Sequence, residues 1–217
     1  MQVPVWDAPT RLFHWALAIL AVLSFTTGKL GGSWMGWHVK SGYAILALLL
    51  FRVAWGFVGS DTARFTHFLR GARAATAYAR QLLAGSPPSS TGHNPLGGWM
   101  VVLMLAVLLL QAATGLFADD EVRAQGPLAV VVSEATVRWM TRIHSFNEWV
   151  VAGLVVVHVV AIGVYQWGLR RDLIGPMLRG TTDAPDAPRV ASAWVAAAIL
   201  ALAALAVYYL VVIFPRP

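Results

Sequence analysis

The sequence predicts an all-α membrane protein: a bundle of four transmembrane helices followed by a fifth, C-terminal transmembrane helix. Three observations carry that reading. Of 217 residues, 58% are hydrophobic and only 12% charged, whereas a soluble domain carries about a quarter charged residues. Five apolar stretches are long enough to cross a hydrocarbon core of about 30 Å. Histidines recur inside or at the edges of those stretches, where titratable groups are costly and mark function.

The spans follow in order. The first covers about residues 11–28 through WALAILAVLSF. It lacks a basic leader and a small-residue cleavage site, so a retained helix is expected rather than a signal peptide. The second covers about 38–59 through YAILALLLFRVAWGFVG, and the third about 98–118 through WMVVLMLAVLLLQAATGLF. The fourth covers about 143–168. The fifth, about 190–214, is rich in Ala and Leu, with Trp194, Tyr208 and Tyr209 as interface anchors.

Loop charge sets the expected direction. Arg64, Arg70, Arg73 and Arg80 lie between spans two and three, and Arg170, Arg171, Arg179 and Arg189 between four and five. Lys29, Lys40, Arg123, Arg138 and Arg142 lie on the other side, so eight bases face five. Acidic residues count little in this rule, and the N-terminus is expected on the cytoplasmic side. Residues 64–83 space apolar side chains between arginines, as an interfacial amphipathic helix does. The following GSPPSSTGHNPLGG is a turn region leading into span three.

Composition also excludes classes. With no cysteine, disulfides, thiolate metal sites, Cys-ligated iron–sulfur clusters and covalent haem attachment all fall away. The net charge of +6 is scattered over loops with no basic stripe, so nucleic acid is not the partner and lipid headgroups are.

His144 and His158 are fourteen residues apart in span four. Fourteen steps of about 100° return both side chains to one face, roughly 21 Å apart along the axis. Placed by topology, His14 opens span one on the inner side and His38 opens span two on the outer side. Depth alone then pairs His38 with His144 outside and His14 with His158 inside. Two imidazoles from facing helices are what a b-type haem iron needs, and bundle cores are where such sites are built. The expected cofactors are two haem b, stacked across the membrane in a four-helix haem-binding bundle. A solvated or loop-capping role is expected for His67 and His93.

Arg52 lies fourteen residues after His38, on the same face near the inner leaflet, and is expected to pair with a propionate of the inner haem. Gly42, one turn from His38, is expected to leave room for a flat macrocycle; Gly56, Gly98, Gly115 and Gly153 let helices approach closely. Glu148 is either a proton-handling group near the outer haem or a hydrated interface residue. Trp15 and Trp149 are expected to be packing or interface aromatics.

VWDAPTRLFHW, HVKSGY, RVAWGFVGS followed by RF, GHNPLGGWM and His144-x13-His158 together resemble the bacterial cytochrome b-561 and nickel–iron hydrogenase b-type cytochrome subunit family. The resemblance covers about residues 3–180. It implies a di-haem, four-helix protein of the bacterial inner membrane that exchanges electrons between the quinone pool and a redox partner. The family's ligand pattern maps onto His14, His38, His144 and His158. The fifth span departs from the four-helix core, with contact to another subunit as its expected role. VYQWGLRRDL, at the end of span four, lacks a further histidine found in relatives near the hydrogenase branch.

The expected organisation is therefore a haem-binding domain over residues 1–180, then a linker and added helix over 181–217. The expected function is a quinone-linked electron-transfer component of an oxidoreductase, passing electrons between quinone or quinol and an extracytoplasmic redox partner such as a c-type cytochrome. The segment from Asp119 to Arg142 is the expected docking region, and His93 with the GHNP turn the expected quinone site. The alternative is a membrane anchor subunit of a larger complex such as a hydrogenase or dehydrogenase. A proton-relay transporter would need a polar path that spans three and five lack.

Overall fold

The computed structural model describes residues 1–88, 90–122 and 124–214. Arg123, counted above among the outer bases, and Ser89 of the turn region lie outside the described residues. Helix α1 spans Ala8–Leu30; the Asp7 side chain caps it by accepting from the Thr10 backbone N–H, and Pro9 sits in the first turn. Gly31 and Gly32, both at positive φ, turn the chain into α2, Met35–Val58. Two short helices follow, α3 over Phe65–Phe68 and α4 over Ala72–Leu83. Helix α5, Pro95–Gly115, begins at an Asn94 cap; α6, Glu134–Gly163, begins at a Ser133 cap and ends in a π-helical turn, Val164–Gly168. Helix α7 covers Ile174–Arg179, and α8, Ala193–Tyr208, runs into a second π-helical turn.

Five segments have the length and apolarity to cross a membrane: Ala8–Leu30, Gly32–Val58, Pro95–Gly115, Glu134–Gly168 and Ala193–Ile213. The fourth begins at Glu134, well before residue 143 where the sequence pattern starts it. Ser133 supplies a cap, and residues 134–142 continue the helix as a polar extension. Part of the Asp119–Arg142 segment is therefore helix, not loop. Thirty residues of α6 measure roughly 45 Å, more than the hydrocarbon core. The interfacial stretch is broken at residues 69–71; α4 turns Ala75 and Tyr78 inward and leaves Arg73 and Arg80 exposed.

Helix α2 is central, packing on α1, α5 and α8, and α5 packs on α6. Its Leu49, Phe51 and Trp55 join Phe13, Leu105 and Leu108 in the core, with Ala196 and Ala203 of α8 in the same cluster. Small residues bring α8 close to α2, so the fifth helix is an integral part of this chain's packing. Sequence patterning gave no sign of a two-stranded ribbon, yet β1, Gln2–Pro4, pairs antiparallel with β2, Thr181–Asp183. Val3 is buried beneath it, and the Val5 N–H donates to the Gly180 carbonyl at 2.8 Å. The ribbon fastens the N-terminus to the chain ahead of α8.

Candidate functional site

At the end of the bundle away from the N-terminus, His38 of α2 faces His144 of α6, with ring centroids 6.0 Å apart. Each ring is held in the same way. Nδ1 of His38 donates to the Ser24 carbonyl at 2.8 Å, and Nδ1 of His144 donates to the Gln111 carbonyl at 3.0 Å. In each case a glycine follows four residues later. A Cβ on Gly28 would stand 2.8 Å from His38 Nδ1, and one on Gly115 would stand 2.9 Å from His144 Cε1. The bare glycines let an imidazole reach the carbonyl one turn back. Buried Thr27 and Thr114 precede them and donate to the carbonyls of Leu23 and Leu110, both at 2.7 Å.

These bonds fix a tautomer. Carbonyls only accept, so both Nδ1 atoms carry the proton and both Nε2 atoms keep a lone pair. The Gln111 side-chain amide lies 3.2 Å from His144 Nε2, a contact that a metal at Nε2 would displace, and its oxygen accepts from Asn147 at 2.8 Å. The sequence reading missed this support. Its signal was the recurrence of Thr-Gly near the ends of spans one and three, in SFTTG and QAATG.

At the N-terminal end, His14 of α1 faces His158 of α6, with centroids 6.3 Å apart. The Nδ1 atom of His14 is buried without a hydrogen-bond partner. Trp15 packs edge-on against His14 at 5.0 Å, and its indole N–H lies 3.3 Å from the Met177 carbonyl. A buried polar cluster adjoins the pair. Asp7 caps α1 with one oxygen and accepts from the Trp55 indole N–H at 3.1 Å with the other. Arg52 is 2% exposed, its guanidinium 5.3 Å over the Phe65 ring and its Nη1 unpartnered.

His93 belongs to the same cluster, so the solvated-loop expectation fails for it. Trp6 and Phe68 flank its ring at 4.7 and 4.6 Å, because the N-terminal segment folds back over it. Burial, with the Arg52 charge adding to it, lowers its pKa to about 3. His67 is half-exposed, 3.9 Å from Asp61. A cavity of about 490 Å³ beside His93 is lined by Asp61, Thr62, His67, Phe68 and Arg70.

The remaining candidates fall into place individually. Glu148 forms an ion pair with Lys29, whose ammonium sits 4.5 Å over the Trp149 ring. A Cβ at Gly42 or Gly153 would meet no atom within 4 Å, whereas Gly56 and Gly98 lie against Phe65 and Phe68. Tyr165, at the π-helical turn, bonds to the Tyr78 hydroxyl at 3.0 Å and accepts from the Asn94 amide at 3.2 Å. That triad ties α4, the start of α5 and the end of α6 together.

The residues fit a haem. A ligating imidazole nitrogen sits about 2 Å from its metal and about 1 Å ahead of its ring centroid, so two rings across one metal have centroids about 6 Å apart. Both pairs have that spacing. Among the described residues no three or more His, Cys, Asp or Glu side chains cluster as a metal site. Two protein ligands suit a metal whose other positions are filled by a macrocycle.

The family described as Prokaryotic cytochrome b561 matches residues 5–180. Three curated relatives each carry the name "Probable Ni/Fe-hydrogenase B-type cytochrome subunit". The one from Rhizobium leguminosarum bv. viciae is 26% identical over 212 residues, covering 82% of this chain and 88% of its own length. Those from Azotobacter chroococcum mcd 1 and Azotobacter vinelandii are 26% and 28% identical over 225 residues, each covering 85% of this chain and 91% of the relative. No solved structure matches. The family match, the five membrane-crossing helices and the paired imidazoles converge: the chain belongs to the prokaryotic cytochrome b561 family, as a multi-pass membrane b-type cytochrome that carries electrons.

Proposed function

We propose that this protein binds two haem b, one between His14 and His158 and one between His38 and His144, and carries electrons across the bilayer between the quinone pool and an extracytoplasmic redox partner. The observation that carries the reading is the pair of imidazole couples at 6.3 and 6.0 Å, fourteen residues apart along α6. Residues 1–180 form the haem-binding unit, in keeping with the extent of the family match, and residues 181–217 add a linker and a helix. The N-terminus is cytoplasmic, which the eight bases against five support.

Haem b, when bound, supplies a one-electron iron couple. The chain's own residues do the rest. Ser24 and Gln111 carbonyls hold His38 and His144 by their Nδ1 protons and aim Nε2 across the site. Gly28 and Gly115 let the rings approach those carbonyls, and Gly42 leaves space one turn from His38. Arg52 pairs with a propionate at the inner site. Quinone binds at the cytoplasmic edge by His93 and the GHNP turn, where the cavity of about 490 Å³ is of ligand-pocket size.

The names of the curated relatives favour a second reading, a membrane anchor subunit of a larger redox complex such as a hydrogenase or dehydrogenase. Purified protein decides between the two: reduction of its haem by a quinol analogue, without any other subunit, supports the first. The haem assignment is tested by pyridine haemochrome content and low-spin electron paramagnetic resonance. His14→Ala and His158→Ala should remove one and the same haem, and His38→Ala and His144→Ala the other. Loss of the same haem from His14→Ala and His144→Ala would overturn the pairing.

A further inference from the structure

Resting on the reading that His14 and His158 hold a haem, we propose that Arg52 and His93 together bind one of its carboxylates, His93 being the partner no motif had suggested. Arg52 stands within α2, almost fully buried, with Nη1 enclosed and unpartnered. Among the described residues no carboxylate lies within ion-pair distance of it. Asp7 is near enough to act on its charge, but the Asp7 oxygens are taken by the Thr10 N–H and the Trp55 indole. An unpaired guanidinium at this depth is costly, and a carboxylate ligand offsets that cost.

His93 supplies the second half. Its ring is clamped between Trp6 and Phe68, at 4.7 and 4.6 Å. Nδ1 is left enclosed with no partner. The Arg52 guanidinium lies 5.3 Å over Phe65, Phe65 lies 5.6 Å from Phe68, and Phe68 lies 4.6 Å from His93, so one aromatic cluster holds both groups. Two unpartnered buried nitrogens near one another, one on a guanidinium and one on an imidazole, are both satisfied by one carboxylate. One oxygen accepts from Arg52 Nη1–H, and the other accepts from the Nδ1–H of His93. Haem b carries its carboxylates at its periphery, and a haem held by His14 and His158 brings them into this neighbourhood. A free carboxylate from solvent has the same chemistry, and isotopic labelling separates the two sources.

The test uses the full-length protein with both haems bound, grown on 5-aminolevulinate that places carbon-13 in the haem carboxylates. Redox-difference infrared spectra and potentiometric titration are recorded for wild type, His93→Leu, His93→Asn and Arg52→Leu. The expected result is a labelled carboxylate band that moves in His93→Leu and Arg52→Leu but stays in His93→Asn, which keeps a hydrogen-bonding atom near Nδ1. Arg52→Leu should also shift the reduction equilibrium of the His14–His158 haem at least tenfold toward the oxidised form, which is 59 mV for a one-electron couple. A labelled band and a potential unchanged in both leucine variants, with both haems present, would overturn the carboxylate assignment alone. So would a band that responds only to added free acetate. Should His93→Leu lose haem, His93→Asn decides: a wild-type band and haem content sustain the proposal, and loss of the band with haem retained refutes it. Wild-type protein without haem at the His14–His158 pair would sink the underlying functional reading instead, and the haemochrome assay shows that first.

Discussion

The two ends of the bundle position their histidines by different means. Away from the N-terminus, His38 and His144 are each tied through Nδ1 to a helix carbonyl one turn before a glycine. At the N-terminal end, His14 Nδ1 has no partner, and the polar density lies around the pair, in Asp7, Trp55, Arg52 and His93. One site is set by backbone geometry within the bundle. The other is set by side chains that the N-terminal segment and the α2–α5 connection fold around it. Backbone support is hard to remove by side-chain substitution but easy to block sterically. Side-chain support behaves in the opposite way.

Three experiments separate these modes. The largest effect is expected from Gly28→Val and Gly115→Val. Each places a branched side chain where a Cβ already meets an imidazole at 2.8 or 2.9 Å, and the helix backbone cannot yield. Each should eliminate the haem of His38 and His144 and spare the other, read as loss of one of two low-spin resonance signals. Equal loss of both signals would mean that the two ends are not independent.

A middle effect is expected from Asp7→Ala, which removes a helix cap and leaves the buried Trp55 N–H unpaired. The combined cost is roughly 2 kcal/mol. Thermal unfolding should shift accordingly, with the His14–His158 haem lost at a lower temperature than the other. Asp7→Asn, which can still cap, should recover most of the loss.

The smallest effect is expected from acid. The Arg189 backbone N–H, donating at 3.0 Å, and then the Arg64 side chain hold the Asp61 carboxyl below the ordinary carboxylate range. A carboxyl lowered on folding contributes stability that is complete above its unfolded pKa and is lost as pH falls through its folded one. Acidification from about pH 5 to about pH 3 should therefore loosen the tether ahead of α8. Hydrogen exchange at residues 189–191 should accelerate before that at 24–28 or 111–115; the reverse order would break the comparison.

Much of the fold was legible because apolar spans of about twenty residues have few alternatives in a bilayer. Helical period and depth also pair His14 with His158 and His38 with His144, and the structure brings those rings together. Supporting residues were harder to read. Ser24 and Gln111 hold the Nδ1 atoms through backbone carbonyls, which any residue type provides, so only the Thr-Gly pairs that follow left a trace. His93 looked solvated because its burial depends on Trp6 folding back from far away in sequence. The early start of α6 depended on Ser133, one polar residue in a segment that otherwise resembled a loop.

The ribbon of Gln2–Pro4 with Thr181–Asp183 joins the first residues of the chain to ones that follow all four histidine-bearing and packing spans. During synthesis it cannot form until residue 183 has left the ribosome, so four spans enter the membrane while the N-terminal segment is still free. Trp6 and Asp7 lie directly beyond that ribbon. The cover that Trp6 makes over His93 is thus fastened only once the chain through residue 183 is made.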